Sequence, residues 1–166
     1  MQWSKLKQRI EERMADSLHG RVEVHSTWYR CLGHDRLGRT WITVDKQQVA
    51  SMSDLPYYID YRVLAEEIWV AKRLTDYRDE AKAVLHAQGN YSRHQSNNIL
   101  ERYLLMSVDD VLRSDDILIR SLSMLDRRVG KRRLRMLQLG DDEHPLVRQF
   151  YALRCKAEGI TTPDAA

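Results

Sequence analysis

Between Arg127 and Arg135 this chain places Arg127, Arg128, Lys131, Arg132, Arg133 and Arg135, six basic residues in nine positions. Arginine carries a planar, permanently charged fork of donors that suits phosphate oxygens. A cluster of such forks around Gly130 is able to grip a nucleic-acid backbone or another polyanion. Gly130-Lys131 is not a nucleotide-phosphate loop, because the earlier glycine and the preceding strand that such a loop needs are missing. The same residues also have a plainer use. Basic side chains in the last turn of a helix complement its dipole, and Asp109, Asp110, Asp115, Asp116, Asp141 and Asp142 stand near enough in sequence to neutralise them. Whether the basic turn is exposed decides between the two.

A second group is set by alternation. His25, Thr27 and Tyr29 fall on one face of a strand, with Arg30 after them, and Val22, Val24, Ser26 and Trp28 fall on the other. The polar face resembles the sheet surfaces on which some RNA-binding modules stack bases. Arg39 and Trp41 of the next strand join it if the register allows. His25 with His34 and Asp35 also makes an acid–base set for a small hydrolase or nuclease, if the three come within hydrogen-bond reach. A third group, Tyr57, Tyr58 and Tyr61, has the apolar area and polar tips of a protein interface. Arg93, His94, Asn97 and Asn98 form a polar cluster at a helix start that fits no catalytic motif.

The elements that must position these groups follow from periodicity. Trp3, Leu6, Ile10 and Met14 recur at helical spacing and predict an amphipathic helix over 3–17, ending before Gly20. The period then changes to two, predicting strands from Arg21, over Arg39–Asp45 and over Gln48–Ser51, with turns at 33–38 and at Asp45-Lys46. The remainder reads as helix: one over 58–85, stopped by Gly89, and one from Ser92 through Met106. Ser107 and Ser114 have the composition of N-caps for the segments that follow, the second running through Leu125. Gly130 is expected to break the chain in a left-handed conformation, before one or two turns within 131–139. A last helix opens at His144-Pro145 and ends before Gly159. The expectation is α+β: an N-terminal helix, a three-stranded antiparallel meander and a C-terminal bundle of four to six helices. Residues 1–160 make a single domain, and 161–166 a flexible tail.

Composition narrows the function classes. The net charge of +3 is carried by residues 121–166, with nine Lys/Arg against six Asp/Glu, so any polyanion footprint is local rather than global. Cys31 and Cys155 have no metal-site spacing and suggest no disulfide framework, and both read as small buried hydrophobes. There is no dinucleotide glycine motif, zinc spacing or calcium loop, so no cofactor is implied. No apolar run approaches the length of a membrane span, and Met1–Lys5 lacks the apolar centre of a signal peptide, so a cytoplasmic location without membrane attachment is expected.

Five stretches carry a resemblance: Trp3-Ser4-Lys5-Leu6-Lys7, residues 20–27 (GRVEVHST), residues 38–45 (GRTWITVD), residues 125–132 (LDRRVGKR) and residues 150–160 (FYALRCKAEGI). Together they resemble a family of small uncharacterised bacterial proteins. The resemblance spans nearly the whole chain and implies one intact domain of bacterial or phage origin. The family carries no assigned activity, so no catalytic residues come with it.

Three functions remain open on these residues. The first is a non-enzymatic binding protein whose basic helix-turn element meets nucleic acid or another polyanion. The second is a protein-interaction module, such as a regulator or accessory subunit, using Tyr57, Tyr58 and Tyr61. The third is the small hydrolase or nuclease on His25, His34 and Asp35. The sequence does not settle whether the protein is an enzyme.

Overall fold

The computed structural model describes residues 1–30, 36–73 and 75–161. Helix α1 (Trp3–Arg13) buries Leu6 and Ile10 on one stripe. It stops four residues short of the expected end. Met14 takes extended backbone (ψ 152°) and forms an antiparallel bridge with Asp126, after which only a short 3-10 turn, Asp16–Leu18, continues. A tertiary pairing thus overrides the helical period at Met14.

Strands β1 (Val22–Arg30), β2 (Arg36–Val44) and β3 (Gln47–Ser53) form an antiparallel sheet in the order β1-β2-β3. Asp45 and Lys46 (φ 49° and 68°) make the two-residue β2–β3 turn, whose positive dihedrals match the twist of the flanking strands. Val22, Val24, Ile42 and Met52 lie on the inner face and are buried. Trp28 was expected to share that covered face, yet it is 50% exposed, because the Arg30/Arg36 end of the hairpin runs past the core.

The helices after the sheet are α2 (Asp54–Lys72), α3 (Tyr77–Ala87), α4 (Arg93–Leu105), α5 (Val108–Leu112), α6 (Ile117–Leu125), α7 (Lys131–Met136) and α8 (Pro145–Glu158). These seven described segments exceed the expected four to six because the helix read over 58–85 is two. Arg73 ends α2 in a left-handed conformation (φ 53°), and the chain turns back into α3.

Most of the apolar core is one cluster, built from α1, the inner sheet face, α4, α6 and α8 around Leu100, Tyr103, Leu118, Leu122 and Phe150. A second, smaller cluster of Ala65, Ile68 and Ala81, with Tyr61, Leu64 and Tyr77 against it, joins α2 only to α3. Capping agrees with the sequence at Ser107 and departs from it at Ser114. Ser92 and Gln95 form a reciprocal capping box on α4, and Ser107 caps α5. Asp116 rather than Ser114 caps α6, Ser114 accepting the Asp116 N–H from outside. Gly159 closes α8 at φ 63°. Cys155 is buried; Cys31 and residues 162–166 of the expected tail lie outside the described residues. No described helix is long and apolar enough to cross a membrane.

Candidate nucleic-acid interface

The basic turn divides into an anchored part and an exposed part. After α6, the fully buried Asp126 carboxylate accepts the Tyr103 hydroxyl at 2.7 Å, the Arg128 backbone N–H at 2.9 Å and the Arg128 guanidinium at 2.6 Å. Arg128 also donates to the Met106 carbonyl. Its guanidinium is held more firmly protonated by the Asp126 hydrogen bond. Burial first, and then the Asp126 charge, push the Tyr103 hydroxyl well above its ordinary range. From the other side Arg154, 3% exposed and paired with Glu158, donates to the carbonyls of Leu125, Asp126 and Val129. The turn is therefore clamped by three charged side chains. Gly130 is extended (φ −69°, ψ 158°), not left-handed, and serves as the N-cap of α7.

Of the six basic residues singled out in the sequence, Arg128 is thus a strut. Arg133 pairs with Asp109 at 2.7 Å in the open, and Lys131 donates to the Glu158 carbonyl at the end of α8, where a cation complements the helix dipole. Arg127, Arg132 and Arg135 make no ion pair or side-chain hydrogen bond among the described residues, and Arg132 and Arg135 are exposed. Leu134, buried on the same short helix, explains why the arginines of α7 point outward.

The sheet supplies a second surface, and register decides its membership. His25 stands opposite Trp41, Thr27 opposite Arg39 and Tyr29 opposite Leu37, so Arg39 and Trp41 share the polar face of β1. The His25 ring stacks on Trp41 with centroids 5.0 Å apart, and the Arg39 guanidinium lies 4.4 Å from the centre of the Trp41 ring. His25 Nε2 is also 3.1 Å from the Thr43 hydroxyl and 3.7 Å from Glu23. Thr27, Arg30 and Arg39 are exposed, and Tyr29 is 52% exposed. On the opposite face of the same hairpin end, Arg36 lies over exposed Trp28 at 4.8 Å. Aromatic rings and guanidinium planes therefore alternate across the strand pair. Arg36 pairs directly with Arg30, so both lie with Trp28 on that opposite face, and Arg30 does not join His25, Thr27 and Tyr29 as the sequence order suggests.

The hairpin is held from behind by a buried polar layer that sequence patterning does not reveal. Asp54, 4% exposed, accepts the backbone N–H of Gly38 and of Arg93, each at 2.8 Å. The Thr40 hydroxyl donates to the Asn97 amide oxygen at 2.9 Å and lies 3.0 Å from the Ser26 hydroxyl. Gly38 is required by space. A Cβ there would stand 2.2 Å from the Thr27 carbonyl oxygen and 2.6 Å from the Arg93 side chain. Two members of the expected cluster at the start of α4, Arg93 and Asn97, thus serve as scaffold for β2. A negatively charged residue in mid-sequence at a strand-to-helix junction was the available signal for Asp54.

The acid–base set is not assembled among the described residues: His34 and Asp35 lie outside them, and His25 is engaged with Trp41 and Thr43. Among the described residues no group of His, Cys, Asp and Glu is placed to hold a metal ion. A cleft of about 730 Å³ lies between α3, α6 and the start of α8 and contains none of the candidate residues. Its Arg120 is paired with Glu143, and His144 accepts the Leu146 N–H as the N-cap of α8.

The tyrosine patch faces mostly inward. Tyr57 is buried, accepts from Gln95 at 2.7 Å and stacks on Tyr61, while Tyr58 is 47% exposed. The apolar residues that α2 does expose are others: Leu55, Ile59, Val63, Trp69 and Val70.

No curated protein and no solved structure matches the chain. The sequence model of the SF0329 protein family matches residues 2–155, and the chain belongs to that family.

Proposed function

We propose that this protein is a non-enzymatic nucleic-acid-binding protein that receives an unpaired strand on the open face of its sheet. The observation that carries the reading is the Arg39–Trp41–His25 stack with exposed Thr27 and Tyr29 beside it. Planar faces offered next to permanent positive charges are what single strands need. Bases stack on rings and guanidinium planes without regard to sequence, and the arginines meet phosphates. The modest net charge accords with a local footprint of this kind. The buried layer of Asp54, Thr40 and Asn97 supports the reading further, because a stacking platform must be rigid before the ligand arrives.

A second reading keeps the polyanion and moves it to the basic turn. Its support is the exposure of Arg132 and Arg135, which, like Arg127, have no ion-pair partner among the described residues. Contacts from that turn would position a backbone without reading bases. Titration of labelled single- and double-stranded DNA and RNA against the wild type, Arg39→Ala/Trp41→Ala and Arg132→Ala/Arg135→Ala separates the two. Loss in the first variant alone supports the sheet face, and loss in the second alone supports the turn. Absence of binding at low salt rejects both.

A further inference from the structure

Helix α2 is apolar on two opposite sides, and only one of them is covered. At 100° per residue, Asp54, Tyr57, Tyr61, Leu64, Ala65 and Ile68 share the side that faces the sheet and α3. Leu55, Ile59, Val63 and Val70 form a stripe on the reverse, each more than half exposed, with Glu66 among them. A helix apolar all round belongs in an interior, and scattered exposed apolar residues differ from a stripe at helical spacing along a whole helix. The charges along this helix sort in the same way. Lys72 is paired with Glu80 and Asp60 accepts from Asn90 within the chain. Arg62, Glu66 and Glu67, which border or interrupt the stripe, are exposed and have no ion-pair partner among the described residues.

We propose that the stripe is covered by a second copy of this chain, the two α2 helices packing antiparallel about a two-fold axis near Leu64. This arrangement lays Ile59 of each copy against the second copy's Val70 and brings the two Val63 side chains together at the axis. It sets Arg62 beside the second copy's Glu66, twice by symmetry. The surface is thus self-complementary in both apolar stripe and charge order, as a two-fold interface requires. An unrelated partner would need only the stripe; the arginine and glutamate placed to exchange partners across the axis favour a copy. Self-association of this kind is independent of the nucleic-acid reading, since α2 contributes no residue to the open sheet face.

Sedimentation velocity of the full chain over a range of concentrations tests it, with circular dichroism to establish that each variant remains folded. The wild type is expected to dimerise and Val63→Glu to be monomeric. Arg62→Glu and Glu66→Arg each place like charges across the axis twice and should weaken self-association by at least about tenfold. An equimolar mixture of Arg62→Glu and Glu66→Arg should recover dimers, because only the mixed pair restores both opposite-charge contacts. A monomeric wild type, a dimer untouched by Val63→Glu, or a mixture that does not recover each overturns the proposal.

Discussion

Asp126, fully buried, holds the Arg128 guanidinium 2.6 Å from its carboxylate, two residues along the same turn. This one pairing turns the second arginine of the basic run inward and helps make the turn a structural joint between α4, α6 and α8. Removing either partner leaves the other with a charge and no counter-ion. Arg128→Ala should cost about 3–5 kcal/mol of stability, because it leaves the fully buried Asp126 carboxylate without its counter-ion, and Asp126→Ala a comparable amount, because it also strands the Tyr103 hydroxyl and the Arg128 N–H. Urea unfolding checks both values. Arg132→Ala should stay within about 0.5 kcal/mol of the wild type by the same measurement.

Tyr103 donates to that carboxylate, and its hydroxyl titrates well above the ordinary value of 10.0 through burial and the Asp126 charge. The raised folded value fixes the sign. The unfolded chain loses this proton first, so the contribution is whole below about pH 10 and declines as pH rises toward the folded value. Tyr91, raised mainly by burial with Asp116 nearby, acts in the same direction. Tyr103→Phe should therefore cost about 1 kcal/mol at neutral pH, from the missing hydrogen bond, and should flatten the alkaline loss of stability. Unfolding midpoints measured from about pH 8 to about pH 11, spanning the ordinary tyrosine range, provide the check.

Asp54 joins β2 to the start of α4 through two backbone N–H groups. Asp54→Ala strands both donors in a buried layer and should cost about 2–4 kcal/mol. Gly38→Ala attacks the same joint sterically and should cost about 1–3 kcal/mol, since a backbone oxygen cannot move aside as a side-chain tip can. Hydrogen exchange should report both losses in the hairpin before the α6–α8 core. Protection lost uniformly would mean that the hairpin and core unfold as one.

Much of the architecture was legible because it follows local rules. The spacing of Leu6 and Ile10, the period change at Arg21, the Asp45-Lys46 turn, the helix start at Ser92 and the Ser107 cap each act within a few residues, and each is observed. What was not legible depends on partners far along the chain. Met14 leaves its helix for Asp126, Arg154 clamps a turn more than twenty residues away, and Asp54 bonds Gly38 and Arg93. The candidate surfaces divide in the same way. The basic cluster was visible as composition, yet Arg128 had to be subtracted once Asp126 was placed beside it. Arg39 and Trp41 could join the sheet face only when the β1–β2 register was fixed. The tyrosines of α2 drew attention by type, while the helical wheel exposes Leu55, Ile59, Val63 and Val70 instead.

If bases stack on the open face, removing one ring has a defined size. Trp41→Ala should weaken single-strand binding by about 1–3 kcal/mol and leave duplex binding nearly unchanged, because paired bases offer no free faces. Competition between single- and double-stranded oligonucleotides of the same sequence measures that difference directly.

Whether the sheet face meets phosphates and bases together is tested most directly by fluorescence anisotropy. A labelled single-stranded oligonucleotide is titrated with wild type and with Arg39→Ala across a series of salt concentrations. Binding on the sheet face predicts a wild-type affinity that falls linearly with salt on a double-logarithmic plot. In the variant the slope should be shallower by about 0.7, the share of a single phosphate on an unpaired strand. A variant slope equal to that of the wild type, with Arg132→Ala/Arg135→Ala instead reducing it, would contradict the assignment to the sheet face and leave the basic turn as the site.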